Sequence, residues 1–193
     1  QNQDLSKKIK ENKKMLILQG SGINKDRGAE EAVLMMQYLE NIVLYIIGSG
    51  DIIPELKNLI YKFQLDKKVF ILDKMPYESL LEYTKIADLG LSLDKGTNLN
   101  YEYSLPNKIF DYIQCLTPIL ASNREIVSQL VIQNNIGTVV KTDNPKELAK
   151  VVNEIIFDEN LNELWRKNLK KTADIYTWKK ETEVLKLIFN NLA

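Results

Sequence analysis

Met15-Leu-Ile-Leu-Gln19 running into Gly20-Ser-Gly22, and then Val43-Leu-Tyr-Ile-Ile47 running into Gly48-Ser-Gly50, are the stretches on which the fold turns. Each is a short, continuously apolar run stopped by a Gly-Ser-Gly turn. A strand with no polar alternation is one buried on both faces, as in a parallel sheet sandwiched between helices. The segment between the two runs, from Arg27 to Leu39, carries a helical apolar period.

The same rhythm continues outward along the chain. Pro54 to Phe63 reads as a helix with Leu56, Leu59, Ile60 and Phe63 on one face, and Val69–Leu72 as the third strand. Pro76 opens a turn into a helix from Ser79 to Ala87, and Leu89–Leu93 is the fourth strand. A polar loop spans Asp94 to Leu105, followed by a helix from Pro106 to Gln114. Pro118–Ala121 and Gly137–Val140 are strands on either side of a helix from Glu125 to Gln133. Pro145 begins a helix to Phe157, and helical pattern runs on to Leu192. Strands alternating with amphipathic helices predict an α/β fold, a Rossmann-like doubly wound parallel sheet of about six strands ordered 3-2-1-4-5-6. Crossovers should be right-handed. The domain reading is a polar linker over 1–14, the sheet domain over 15–157, and helices over 158–193 packing on it.

Composition narrows the chemistry. The chain has 193 residues, 45% of them hydrophobic, enough for a sizeable core. Lys+Arg and Asp+Glu are equal at 26 each, so there is no global basic footprint for nucleic acid. There is no histidine, and therefore neither the commonest general base nor the commonest metal ligand. The single cysteine, Cys115, excludes a disulfide framework and a cysteine zinc cluster, and it reads as a small buried apolar residue in a reducing compartment. No apolar run approaches the roughly 20 residues that span a bilayer, and no signal peptide is visible. The expected location is the cytoplasm, at most peripheral at the inner face of the plasma membrane. A start at Gln1 reads as a piece of a longer protein.

In a doubly wound sheet the ligand lies at the carboxyl ends of strands one and four, where the strand order reverses. The loop after strand one, Gly20-Ser-Gly-Ile-Asn-Lys-Asp-Arg-Gly28, has glycines that let the backbone approach a ligand. Asp26 is a candidate helix cap. Lys25 and Arg27 put cations at a positive helix end, a penalty that a bound diphosphate reverses. The plain alternative is a tight turn with solvated cations. After strand four, Ser104 is an N-cap candidate and Lys108 puts another cation at a helix start, with Asp111 one turn on. That pairing suits a phosphate beside sugar hydroxyls, or it is an i,i+3 ion pair on a solvated helix. Tyr101 and Tyr103 line a pocket or anchor their loop. Trp165 and Trp178 read as packing residues of the tail helices.

Ser104-Leu-Pro-Asn-Lys-Ile-Phe-Asp-Tyr-Ile, followed by Thr117-Pro-Ile-Leu-Ala-Ser122, resembles the C-terminal donor-binding domain of glycosyltransferase family 4, closest to bacterial members that build capsule and lipopolysaccharide. Gln19-Gly20 to Asp26-Arg-Gly28 resembles that family's first loop, and Tyr176-Thr-Trp178 its closing segment. The resemblance covers about Met15 to Leu192 and implies one domain of a two-domain GT-B enzyme. It implies that Arg27 and Lys108 contact donor phosphates, with Gly20, Ser21, Gly22, Ser104 and Asn107 close by. Asp111 matches the acid that holds the ribose hydroxyls, and Lys74 and Met75 the segment whose backbone faces the nucleobase. It further implies a nucleotide-sugar donor, UDP-linked by expectation, no cofactor and no metal, a retaining reaction, and an acceptor site on a separate N-terminal domain, so that the piece alone is inactive. A sugar-nucleotide epimerase of the same fold and a non-catalytic nucleotide-binding or interaction module are the alternatives. The sequence departs from the pattern at Tyr103, where the family has its first glutamate, at Leu116, where a glycine is usual, and at Ser21, where an arginine is frequent.

Overall fold

The computed structural model describes residues 13–97, 99–177 and 182. Residues 1–12 of the expected linker, Trp178 and most of the final helical pattern lie outside the described residues. Six strands form one sheet: β1 (Lys14–Gly20), β2 (Ile42–Gly48), β3 (Val69–Leu72), β4 (Leu89–Ser92), β5 (Ile119–Ser122) and β6 (Gly137–Val140). All neighbours pair in parallel, in the order β3-β2-β1-β4-β5-β6. This is the doubly wound sheet expected from the apolar runs.

Alternation along β1 divides the core in two. Leu16 and Leu18 face α1 (Ala29–Met35), α2 (Ile53–Lys62) and, further along the chain, α7 (Pro145–Ile156). Met15 and Ile17 face the opposite layer, built from α3 (Tyr77–Ile86), α5 (Asn107–Gln114) and α6 (Glu125–Asn134). Both faces of each central strand are buried, which is why those strands carry no polar alternation. The last described helix, α8 (Glu159–Ala173), contributes Trp165 to one core and Leu169 to the other. Its Arg166 donates to the carbonyls of Leu116 and Ala87, just ahead of β5 and β4, so α8 lies at the amino ends of the strands. Cys115 is buried as expected, and burial pushes its thiol up to about 11.

Several local expectations are corrected. The first helix ends at Met35 and tightens into a 3-10 turn, Met36–Tyr38, instead of continuing to Leu39; Met35, Met36 and Leu39 are all fully buried. Asp26 does not cap it. Gly28 holds the N-cap position in the left-handed region, with no side-chain cap. Ser104 does not cap α5 either, because Pro106, extended at φ −65°, takes that position and presets the helix entry. The expected 94–105 loop contains a short helix, α4 (Leu99–Tyr103). Its sequence has no apolar period, and it is fastened by side-chain contacts to other loops.

Tyr112 is the largest fully buried side chain of α5, and its ring lies flush on β4. A Cβ at Gly90 would come within 2.7 Å of that ring, so only glycine lets helix and strand approach this closely. The Tyr112 hydroxyl donates to the carbonyls of Ile17 (3.2 Å) and Leu91 (3.1 Å), tying β1 to β4. Tyr112→Phe should leave the Leu91 carbonyl without this partner in the interior and cost about 1–2 kcal/mol of stability, read from urea unfolding.

Candidate functional site

Pairing between β1 and β4 stops at Ile17↔Gly90. Beyond that point β1 continues to Gly20 paired only with β2, and β4 continues to Ser92 paired only with β5. A crevice therefore opens between their carboxyl ends, the switch point at which doubly wound sheets bind ligands. The loop after β1 forms one wall and rests on the loop after β2. A Cβ at Gly48 would fall 1.9 Å from the Gly20 carbonyl, and one at Gly50 equally close to that of Ile23. Ile23 N–H donates to the Ser49 carbonyl and Lys25 N–H to the Asp51 carboxylate. The second Gly-Ser-Gly thus serves to support the first.

Charge is concentrated where this wall meets the end of β4. Asp94, two residues past the strand, has its carboxylate 3.0 Å from Lys108 Nζ, and the two side chains are only 5% and 8% exposed. Arg27 Nη1 lies 3.4 Å from the other carboxylate oxygen, with its side chain 29% exposed. The Arg27 guanidinium also sits over the Tyr101 ring, 4.5 Å from the centroid, a cation–π contact that holds the Tyr101 segment against the first loop. Two cations around one carboxylate leave a net positive charge, and Arg27 is the member that solvent reaches. Arg27 Nε and Asp94 Oδ1 are buried without a hydrogen-bond partner. Lys95 stitches the same two loops, its N–H donating to the Asp26 carbonyl and its ammonium pairing with Glu31 at 2.6 Å.

Lys108 and Asp111 do not pair with each other, so the solvated i,i+3 reading is corrected. Lys108 turns inward to Asp94. The Asp111 carboxylate instead accepts from Gln19 Nε2 (2.9 Å) on one oxygen and from the Tyr77 hydroxyl (2.7 Å) on the other. Gln19 is 1% exposed and is itself fixed by Thr84, whose hydroxyl donates to Gln19 Oε1 at 2.6 Å. The hydrogen bond to Asp111 and partial burial push the Tyr77 phenol up to about 12, so it remains a neutral donor at physiological pH. Each carboxylate oxygen of Asp111 thus already accepts from one protein donor.

The structure thus gathers Gly20, Ser21, Gly22, Arg27, Lys108 and Asp111 around the crevice. Lys74 is exposed and Met75 half-buried against the second core, both in the turn leading into Tyr77. Ser104 and Asn107 stand at the entry to α5, half-buried and exposed respectively. Tyr103 is exposed, and the neighbouring Glu102 pairs instead with Arg124 at the start of α6. Asp94, Gln19 and Tyr77 are site residues that sequence reasoning passes over. Asp94 had a visible signal, a carboxylate just past the end of β4 at the switch point. Gln19 had a fainter one, as the polar residue that closes an otherwise apolar strand, and Tyr77 had none.

The sequence profile of the family described as glycosyl transferases group 1 matches residues 1–172. An uncharacterised glycosyltransferase of Methanocaldococcus jannaschii is 27% identical over 96% of this chain and 48% of its own length. The chitobiosyldiphosphodolichol beta-mannosyltransferase of Candida albicans is 30% identical over 62% of this chain and 26% of its own length. The chain spans less than half the length of these curated relatives. Among solved structures, Anabaena HepE in complex with UDP and glucose superposes with a TM-score of 0.77 at 16% identity, covering 96% of this chain and 51% of that one. The C-terminal domain of a group 1 glycosyl transferase, LpcC of Francisella tularensis, gives 0.66 at 14% identity over 88% of both chains. These likenesses match the GT-B domain fold.

Proposed function

This chain belongs to the glycosyl transferases of group 1, and from that premise we propose that it is the nucleotide-sugar-binding half of a retaining GT-B glycosyltransferase of the family 4 type. The observation that carries the reading is the Arg27–Asp94–Lys108 cluster, positively charged overall and set beside the Asp111 carboxylate in the β1/β4 crevice. A nucleoside diphosphate has complementary parts: anionic oxygens for the cluster and paired hydroxyls for the carboxylate. Arg27 is the direct phosphate ligand. Lys108, held inward, sets the field and the position of Asp94. The backbone of Gly20, Ser21 and Gly22 and the α5 entry at Ser104 and Asn107 complete the phosphate side, and the Lys74–Met75 backbone faces the base.

In transfer, charge builds on the departing diphosphate as the glycosidic bond to the sugar breaks. A preorganised cationic site stabilises that charge without reorganising, so protein cations take the role a resident metal has elsewhere. Residues 15–157 form the donor domain, and α8 is added to it. The acceptor is bound by a second domain, as the greater length of the relatives suggests, and this piece alone transfers no sugar. The product is a cell-surface glycan such as capsule or lipopolysaccharide, made by a bacterial enzyme at the cytoplasmic side of the membrane. UDP is the preferred nucleotide, in keeping with the UDP that the Anabaena HepE structure contains.

Calorimetric titration with UDP, GDP, ADP and CMP, with and without magnesium, tests the proposal. Metal-independent binding of UDP is the expected result. Binding of no nucleotide, or binding only with metal, would overturn it. Asp111→Ala is expected to weaken UDP and uridine alike by about one to two decades, the value of a charge-assisted contact of roughly 1.5–3 kcal/mol. Loss confined to UDP would place Asp111 at the phosphates instead.

A further inference from the structure

Tyr77 is the first residue of α3 and follows directly on Lys74-Met75-Pro76, the turn proposed to face the base. Asp111 lies one turn inside α5, on the other side of the proposed nucleoside position. The 2.7 Å hydrogen bond between Tyr77 and Asp111 therefore crosses the gap between the base side and the ribose side. The phenol in that bridge occupies a place on Asp111 Oδ1 that a ribose hydroxyl would use.

The two donors on Asp111 differ in their freedom. Gln19 comes from inside the sheet, 1% exposed and locked by Thr84. Tyr77 comes from the solvent side and is 56% exposed, so its ring can turn outward into water with little repacking. We propose that Tyr77 is a displaceable gate on the nucleoside pocket, its hydroxyl and a ribose hydroxyl being alternative donors to Asp111. Gln19 keeps the carboxylate oriented throughout, and Tyr77 yields to the incoming ribose and returns as the nucleotide leaves. Exchange of one O–H donor for another on the same oxygen is nearly balanced, so the gate lowers the affinity for the nucleotide and favours release of the spent diphosphate. This inference rests on the nucleoside reading of the crevice given above.

The test is Tyr77→Phe, which removes the competing hydroxyl and keeps the exposed ring. Calorimetry should show uridine and UDP binding about three- to tenfold more tightly than to the parent, the range expected for one net hydrogen bond. In parallel, the ring carbon resonance of Tyr77, identified by its loss in Tyr77→Phe, should move when the parent is saturated with uridine. Equal or weaker binding by the variant, or a resonance that stays in place, overturns the gate while leaving the nucleoside site standing. If neither parent nor variant binds any nucleoside, the site reading falls and the gate falls with it.

Discussion

Lys108→Met is expected to lower the stability of the domain by about 3 kcal/mol, a large part of the roughly 5–15 kcal/mol that holds a typical domain together. The ammonium lies 3.0 Å from the Asp94 carboxylate, and both side chains are more than nine-tenths buried. Removal of one partner strands a charge that water cannot reach. Arg27, at 3.4 Å and without a hydrogen bond, compensates only in part. Methionine keeps the length and volume of the stem, so the loss reports on charge rather than on a cavity. The double variant Lys108→Met/Asp94→Leu removes both charges together and should recover much of the stability, since a buried pair replaced by apolar groups is often neutral. It should not recover UDP binding. Urea midpoints of the parent and of the Lys108→Met, Asp94→Leu and double variants decide the matter. A Lys108→Met midpoint equal to that of the parent would mean that the pair is solvated.

Gly28→Ala should be comparably damaging for a different reason. Gly28 sits at φ +77°, and an added Cβ would lie 2.3 Å from both the Leu93 carbonyl oxygen and the Leu93 Cβ. The carbonyl belongs to backbone that continues from β4 and has little room to yield. Left-handed strain and overpacking together should cost on the order of 2–5 kcal/mol. The Arg27 backbone adjoins the disturbed position, so relief of the clash should also pull the guanidinium away from Asp94. Thermal unfolding should show the loss of stability, and a UDP titration at a temperature where the variant is folded should show weaker binding than in the parent. Parent-like values in both would place the first loop elsewhere.

The strands were legible because their burial is extreme. A run such as Ile42-Val-Leu-Tyr-Ile-Ile47 has nowhere to face but two cores, and its Gly-Ser-Gly stop marks the turn. The strand order followed from the alternation of elements, and with it the location of the crevice. The helix entries were not legible. Asp26 and Ser104 have the chemistry of caps, yet Gly28 and Pro106 hold those positions because loop packing sets the backbone there. The pairing of charges was hidden as well. Lys108 and Asp111 are one helical turn apart and of opposite sign, but each is claimed by a group distant in sequence, Asp94 from the end of β4 and Gln19 from the end of β1. Helix α4 escaped for a related reason: Arg27 against Tyr101 and Arg124 against Glu102 hold it, and neither contact leaves a periodic trace.

The Tyr112 hydroxyl, set between the carbonyls of Ile17 and Leu91, has a consequence for how quickly the crevice fills. It acts as a wedge at the fork of the two strands. With the wedge in place the sheet cannot zip past Ile17↔Gly90, so no strand has to separate before a ligand enters. Sheet opening therefore adds no slow step to association. On the nucleotide reading proposed above, encounter rates should rise as ionic strength falls, because the net positive charge at Arg27 would draw a diphosphate in from solution.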